Sequence, residues 1–252
     1  MTKRDFLPSP ESRIPSPDLR HIESWVFDLD NTLYPADCNL FRQIEARMAA
    51  FIRRRLGLSM KEARRLQKDY YVRYGTTMSG LMAEHGVAPD DFLDFVHAID
   101  LSPVEKNDVL AARLKSLPGR RYVFTNGSVA HAERVMKRLG VAEAFDEIFD
   151  IKAADFLPKP HRATYERFLS AHAIAAKSAA MFEDIAENLQ APHALGMTTV
   201  LVSSRAVWIS GEPPVKRPAR PGDRHAHVHH VTDDLTGFLG AIRTGAETRA
   251  AG

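Results

Sequence analysis

The chain has 252 residues, of which 44% are hydrophobic and 26% are charged, and its formal net charge at pH 7 is +2. These values are typical of a soluble α/β domain, alone or with a smaller insert, and so small a net charge gives no argument for nucleic acid as a partner. The one cysteine, Cys38, excludes an internal disulfide and a multi-cysteine metal site. No apolar run reaches the roughly 18 residues that a membrane span needs, so we expect no membrane partner.

The first 37 residues contain an arm and a strand. Residues 1–20 carry four prolines among scattered charges, which predicts a flexible N-terminal arm, and they lack the apolar core of a signal peptide. With the single cysteine, this favours a cytoplasmic protein. The stretch "ESWVFDL" (23–29) has the short apolar pattern of a strand.

A helical block follows, over residues 38–100. Its apolar residues recur at helical spacing, and Ser59 with Glu62 three positions later has the pattern of a capping box. Gly75 fits a turn between helices. Because the block contains no strand pattern, we interpret it as a separate helical bundle inserted into the chain.

After residue 100 the chain alternates between strands and helices. Strand patterns at 120–126, 147–150, 178–184 and 198–203, with a last short one in "HVHHV" (227–231), are separated by helical stretches. This alternation predicts a Rossmann-like α/β fold: a mostly parallel sheet with helices on both faces. The predicted core is 21–37 with 101–240, interrupted by the all-α block, and 241–252 form a C-terminal tail.

Polar residues stand at or after the ends of four predicted strands, with Lys159 in the loop after the third. Because the carboxyl ends of parallel strands share one edge, these side chains should converge there, and together they suit a divalent cation and a bound phosphate. The set comprises Asp28, Asp30, Thr125, Asn126, Gly127, Lys159, Glu183 and Asp184.

Each member of this set also has an ordinary structural explanation. Carboxylates at strand ends cap helices, "TNGS" (125–128) fits a strand-to-helix turn, and Lys159 between two prolines fits a solvated loop. Their occurrence together, each at a strand end and in this order, favours a shared site.

Four segments carry a family resemblance. "DLDNTLYP" (28–35), "FTNGS" (124–128), "KP" (159–160) and "EDIAENL" (183–189) resemble the four motifs of the haloacid dehalogenase-like superfamily. The resemblance covers residues 21–240 and implies that the helical block is an α-helical, C1-type cap. Within the superfamily, "YYVRYGTTMSGL" (70–81) is similar to the pyrimidine 5′-nucleotidase group.

The resemblance implies a role for each residue. Asp28 would be the nucleophile that forms an aspartyl-phosphate, and Asp30 the acid and base; the dehalogenases of the superfamily lack this second aspartate, so Asp30 favours phosphoester hydrolysis. Lys159 would neutralise phosphate charge. The role of Glu183, to orient Lys159 or to support the site from behind it, and the role of Asn188 are left open. Mg²⁺ would be held by Asp28, the backbone carbonyl of Asp30, and Asp184, while Thr125, Asn126 and Gly127 would bind phosphate.

The cap would select the substrate, which we expect to be a small phosphorylated metabolite and specifically a nucleoside monophosphate. Tyr34, Tyr74, Thr76 and Thr77 are candidates to face it, with core packing as the alternative for the two tyrosines. A sugar-phosphate or other small-metabolite phosphatase, a phosphomutase and a catalytically weak regulatory protein remain alternatives. The sequence leaves the oligomeric state open.

The histidine-rich segment 225–230 also requires an interpretation. Alternation along a strand would place His225, His227 and His229 on one face, as in a metal site. No carboxylate or thiolate pattern accompanies them. We therefore interpret the segment as a surface-exposed last strand.

Overall fold

The computed structural model describes residues 16–211 and 217–245. Within these residues six parallel strands form one sheet in the order β3-β2-β1-β4-β5-β6, which confirms the predicted fold class. The strands are β1 (Ser24–Phe27), β2 (Arg120–Phe124), β3 (Glu147–Phe149), β4 (Ala179–Glu183), β5 (Thr198–Val202) and β6 (His230–Thr232).

The central strand β1 is buried on both faces. Trp25, Val26 and Phe27 are fully buried, with Trp25 and Phe27 in one hydrophobic cluster and Val26 in the cluster on the opposite face. A strand covered on both sides is a continuous apolar run rather than an alternating one, which is the pattern of "WVF". Since β1 pairs with β2 on one side and β4 on the other, its carboxyl end lies in the middle of the sheet edge.

Four helices form the helical insert between β1 and the rest of the sheet. They are α1 (Leu40–Leu56), α2 (Met60–Tyr74), α3 (Thr77–His85) and α4 (Pro89–His97). The predicted capping box is present, since Ser59 Oγ accepts from Glu62 N while Glu62 accepts from the backbone of Ser59. The insert has its own hydrophobic cluster, which includes Ile52, Leu81 and Val96.

The remaining helices cover the two faces of the sheet. They are α5 (Asp108–Ser116), α6 (Val129–Leu139), α7 (Arg162–Ala171), α8 (Gln190–Leu195) and α9 (Leu235–Ala241). Helix α5 was not predicted from the sequence. Helix α6 follows β2 after a short turn and buries one face, which carries His131, Val135 and Leu139.

The structure differs from expectation at the edges of the fold. Residues 16–20 of the predicted arm lie against the core, because Leu19 is buried and Asp18 pairs with Arg243; residues 1–15 and the tail beyond residue 245 lie outside the described residues. The last strand begins only at His230, so His225, His227 and His229 precede it and do not share a strand face. No helix in the described part of the chain is long and apolar enough to cross a membrane.

Candidate active site

Asp28 lies just beyond β1, at the middle of the sheet edge. Its backbone N–H donates to Phe182 O over 2.9 Å and so extends the pairing of β1 with β4 by one residue. The residue is only 7% exposed. Burial raises the pKa of Asp28 from 3.8 to about 7, against the lowering effect of Lys159 and with a further rise from Glu183. Without a cation, this carboxyl therefore takes up a proton near neutral pH.

Lys159 is the cation of the site. Its Nζ donates to Asp28 Oδ1 and to Glu183 Oε1, each over 2.7 Å, and to Phe124 O over 2.9 Å. Burial lowers the pKa of this ammonium, but the two carboxylates outweigh burial and raise its pKa above the ordinary value. Lys159 is therefore a fixed positive charge directly beside Asp28.

Asn126 holds the loop that carries Lys159. Its Oδ1 accepts from Lys159 N over 2.9 Å, and its Nδ2 donates to Lys159 O over 3.3 Å. The amide side chain is thus already bonded to backbone, which differs from its expected role as a ligand of phosphate. Thr125 Oγ1 accepts from Gly127 N over 2.9 Å, so the side chain of Thr125 shapes the same turn. All three residues line the cavity of the site, and phosphate binding by them stays a prediction.

Glu183 bonds to Lys159, which is one of the two roles that the sequence left open for it. Its Oε1 accepts from Lys159 and from Asn188 Nδ2, the latter over 2.7 Å, and its Oε2 accepts from Ile185 N over 2.9 Å. Asn188 thereby has the supporting role that the sequence left open. With both oxygens of Glu183 engaged, its carboxylate is a poorer donor to a metal than its neighbours.

The residues present fit a divalent cation. Carboxylate oxygens of Asp28, Glu183 and Asp184 lie within 4.8 Å of one another. Asp184 Oδ2 is buried and has no hydrogen-bond partner in the described part of the chain. Burial, with Glu183 and Asp28 nearby, raises the pKa of Asp184 well above its ordinary value. When ionised, three buried carboxylates against one lysine carry net negative charge that a hard cation would neutralise in place of protons, with Asp28 and Asp184 as the side chains available to bind it.

Asp30 points away from this cluster. Its Oδ1 accepts from Tyr34 Oη over 2.6 Å and from His131 Nε2 over 2.9 Å. Burial raises the pKa of Asp30, but His131 and Tyr34 outweigh burial and hold it below the ordinary value. The side chain is therefore not part of the carboxylate cluster, which leaves its backbone carbonyl as the atom expected to bind a metal.

Tyr34 does not have the role expected of it. It is 1% exposed, and its hydroxyl is bonded to Asp30 rather than directed at a substrate. The expectation that Tyr34 faces the substrate is wrong and the alternative of core packing holds, because the ring packs in the hydrophobic core.

Two histidines that were not predicted as site residues lie beside Asp30. His131 on α6 and His97 at the end of α4 have parallel rings with centroids 4.2 Å apart. His97 Nδ1 lies 3.1 Å from Ser128 Oγ, the residue that caps α6. Burial lowers the pKa of His97 to about 3, so its ring is neutral at physiological pH. The sequence feature that could have identified His131 is its position on the apolar face of α6, one turn before Val135.

The site opens into a cavity between the sheet edge and the helical insert. Its floor includes Asp28, Asp30, Lys159 and Asp184. Its walls are mostly apolar and come from α1, the α2–α3 region, α4 and the segment after β5; they include Phe41, Ile44, Met48, Gln67, Thr76, Thr77, Met78, Phe92, Val96 and Trp208.

Only part of the predicted substrate set lines this cavity. Thr76 and Thr77 do, although Thr76 Oγ1 caps α3 and Thr77 Oγ1 donates to Gln67 O over 3.2 Å. Tyr74 does not, because its hydroxyl is bonded to Glu84 and its ring meets Tyr70 edge-on. The expectation that Tyr74 faces the substrate is therefore wrong.

Trp208 is a wall residue that the sequence reading did not identify. It lies after β5, its Nε1 donates to Ala36 O over 2.9 Å, and its ring stacks on Phe41 of α1 with centroids 6.5 Å apart. Lys68 of α2 donates to Gly211 O in the same segment. Residues 206–211 thus join the core to the helical insert at the mouth of the cavity.

Comparisons with known proteins agree with this geometry. Residues 24–196 match the model of the haloacid dehalogenase-like hydrolases. Phosphate metabolism protein 8 of Saccharomyces cerevisiae is 28% identical over 207 residues, which are 75% of this chain and 64% of that protein. The chain therefore spans less than two thirds of the length of that curated relative.

Solved structures show the same fold. CbbY from Rhodobacter sphaeroides, in complex with phosphate, matches with a TM-score of 0.56 and 17% identity over 87% of this chain and 99% of that one. L-2-haloacid dehalogenase from Xanthobacter autotrophicus matches with a TM-score of 0.52 and 16% identity over 87% and 97%. At 16–17% identity, these similarities show a shared fold and nothing about activity.

Proposed function

Since this chain belongs to the haloacid dehalogenase-like hydrolase family, we propose that it is a Mg²⁺-dependent phosphomonoester hydrolase that acts through an aspartyl-phosphate on Asp28. The observation that carries the proposal is the position of Asp30. It lines the same cavity as Asp28, and its carboxyl is held apart from the metal-binding cluster by Tyr34 and His131. A phosphatase needs such a second carboxyl to move protons, whereas a dehalogenase does not.

Two proton transfers and two displacements make up the reaction. Because the pKa of Asp30 is held low, Asp30 must first take up a proton. Asp28 then attacks phosphorus, the bond between phosphorus and the leaving oxygen breaks, and protonated Asp30 gives its proton to that oxygen. Asp30 then takes a proton from water, which attacks phosphorus, breaks the aspartyl-phosphate bond and returns Asp28 as a carboxylate. Lys159 holds Asp28 by its Oδ1 and balances charge on the transferring group.

Asp28 and Asp184, with the backbone carbonyl of Asp30, would hold the cation. When bound, Mg²⁺ supplies electrostatic neutralisation between the attacking carboxylate and the phosphate dianion. The raised pKa of both carboxyls in the metal-free protein supports this assignment, because a cation would stabilise their ionised forms.

We further propose a nucleoside monophosphate, pyrimidine in particular, as the substrate. The apolar cavity walls and the stacked Phe41–Trp208 pair suit a flat ring. Gln67, 7% exposed, adds an amide among these walls, and its Nε2 makes only a 3.6 Å contact with Met48 Sδ. An amide of this kind can donate to and accept from a base edge. The yeast relative's name, a phosphate metabolism protein, is in keeping with a phosphorylated substrate.

A screen of phosphomonoesters with Mg²⁺ or with EDTA tests the proposal. We expect hydrolysis of p-nitrophenyl phosphate with Mg²⁺ only, and higher kcat/KM for UMP and CMP than for hexose phosphates. No turnover of any phosphomonoester with any divalent metal would refute the hydrolase. Equal or better turnover of sugar phosphates would refute the nucleotidase and favour the alternative class.

Acid-quenched samples test the intermediate. Asp30→Asn keeps the shape of the side chain but removes the proton that the leaving oxygen and the water step require. We expect strongly reduced turnover, with labelled phosphate retained on the protein. If neither the wild type nor Asp30→Asn ever carries an acyl phosphate, the two-step scheme is wrong.

A further inference from the structure

His131 is a buried side chain that the proposed reaction does not use. It is 1% exposed, and its Nδ1 has no hydrogen-bond partner among residues 16–211 and 217–245. Burying a half-satisfied polar ring is unfavourable for folding, and its neighbours Val135 and Leu139 on the stripe are apolar. The bond from Nε2 to Asp30 is therefore the feature that distinguishes a histidine from an apolar residue at this position.

Both donors to Asp30 meet the same oxygen. Tyr34 Oη and His131 Nε2 bond to Oδ1, whereas Oδ2 accepts no hydrogen bond from the described part of the chain. Two donors on one oxygen restrict rotation of the carboxyl about its last torsion. Oδ2 is thus the oxygen available to exchange a proton with a group in the cavity.

His97 keeps the ring of His131 in place. Its ring lies parallel to that of His131, and its carbonyl oxygen accepts from Arg134 Nη1 of α6 over 3.0 Å. The end of α4 is thereby fixed to α6 one turn beyond His131. The imidazole of His131 thus has the ring of His97 against its face and Asp30 as its hydrogen-bond partner, two contacts that favour its observed position.

We propose that His131 is a positioning residue for Asp30: with Tyr34 it fixes Oδ1, so that Oδ2 carries the proton delivered to the leaving oxygen and later taken from water. This inference rests on the proposed function. A positioning role differs from a purely structural one, because loss of the donor should lower kcat/KM most for esters whose leaving group needs that proton.

The test compares two aryl esters by kcat/KM, which reports the steps up to departure of the alcohol. p-Nitrophenyl phosphate has a good leaving group and needs little protonation, whereas phenyl phosphate needs more. His131→Phe removes the donor and keeps a ring, His131→Gln restores a donor, and Tyr34→Phe removes the other donor with the least change of shape. His172→Phe is the matched control. His172 has a carboxylate partner, Glu147 at 3.0 Å, and an Nε2 without a partner in the described residues, but Glu147, unlike Asp30, does not line the cavity.

With His131→Phe and Tyr34→Phe we expect kcat/KM for phenyl phosphate to fall by about 10- to 100-fold, part of the usual contribution of a general acid, and a several-fold smaller fall for p-nitrophenyl phosphate. His131→Gln should recover much of the loss, and His172→Phe should change neither ester. Melting temperatures verify that each variant is folded. If His131→Phe does not fold, the comparison of the two esters is made with Tyr34→Phe.

Equal falls for both esters, no fall, or the same fall in His172→Phe would overturn the inference while leaving the hydrolase intact. A wild type that hydrolyses no phosphomonoester would instead refute the proposed function, and this inference with it.

Discussion

Lys159 Nζ lies 2.7 Å from Asp28 Oδ1 although the two residues are 131 positions apart in the chain, and both side chains are almost fully buried. Each arrives at the sheet edge from a different loop, and a bonded amide, Asn126, fixes the second of these loops. The charge of the lysine is what makes a cluster of buried carboxylates tolerable here.

Lys159→Met should therefore destabilise the protein. It leaves Asp28 and Glu183 without their buried cation, and breaking such a pair from one side costs about 3–5 kcal/mol. Urea unfolding in EDTA measures the loss. Lys152→Met, which breaks an exposed pair with Asp90, is the control and should cost less than about 1 kcal/mol.

A double variant separates charge from packing. Adding Asp28→Asn to Lys159→Met removes one of the stranded carboxylates, so part of the stability should return. If the two changes are additive, the coupling between these residues is negligible and the interpretation of Lys159 as the neutralising charge is wrong.

Asp28→Asn alone should abolish turnover while keeping the fold. The amide preserves the shape of the side chain but cannot attack phosphorus, and loss of a nucleophile lowers kcat by more than about 10³-fold. Steady-state kinetics and circular dichroism measure the two effects. Asp150→Asn is the control: Asp150 is buried at the end of β3 and accepts from Val129 N and Ala153 N, so its loss should reduce stability and spare turnover.

Mg²⁺ should stabilise the protein more at pH 8 than at pH 5. In the metal-free protein Asp28 has a pKa of about 7 and Asp184 a strongly raised one, both because of burial. At pH 5 a cation must displace these protons, whereas at pH 8 the proton on Asp28 is mostly gone. Melting temperature with Mg²⁺ minus that with EDTA gives the effect; an equal gain at both values would contradict the assignment.

The raised pKa of Asp28 also determines how the stability of the metal-free protein changes with pH. A carboxyl whose pKa is raised from 3.8 to about 7 on folding contributes stability at low pH that is lost as pH rises through this window. Asp28→Asn should therefore gain stability relative to the wild type between about pH 4 and 7.

His97 predicts a pH dependence of opposite sign. Its pKa falls from 6.5 to about 3 on folding, chiefly through burial, with His131 and Arg134 also disfavouring its charge and Asp30 favouring it. Its neutral form contributes stability above pH 6.5 that is lost as pH falls toward 3. Compared with His97→Gln, the wild type should lose more unfolding free energy between pH 7.5 and pH 5; parallel curves would show that His97 does not titrate in this way.

The residues of the candidate site could be predicted because a parallel sheet brings all its carboxyl ends to one edge. Asp28 and Asp184 follow strand ends directly and Lys159 lies in the loop after β3, and the fold places the three together. The order of strands and helices followed from apolar periodicity in the same way.

The residues around Asp30 and the cavity walls could not be predicted in this way. His131 lies on a helix face rather than at a strand end, and Trp208 lies in a segment without regular apolar spacing. Tyr34 and Tyr74 were predicted to face the substrate and do not. The hydroxyl of each is bonded to a neighbouring carboxylate instead. Such contacts depend on the packing between elements distant in sequence.

The contact between His97 and His131 limits how far the two parts of the protein can be exchanged by engineering. The sheet edge supplies the carboxylates and the lysine, so transplanting another helical insert would leave those groups untouched. A graft that replaced α4 would nevertheless remove the ring that covers His131. A chimera that changes specificity while sparing turnover should therefore keep residues 96–101 of this chain and join the foreign helices before them.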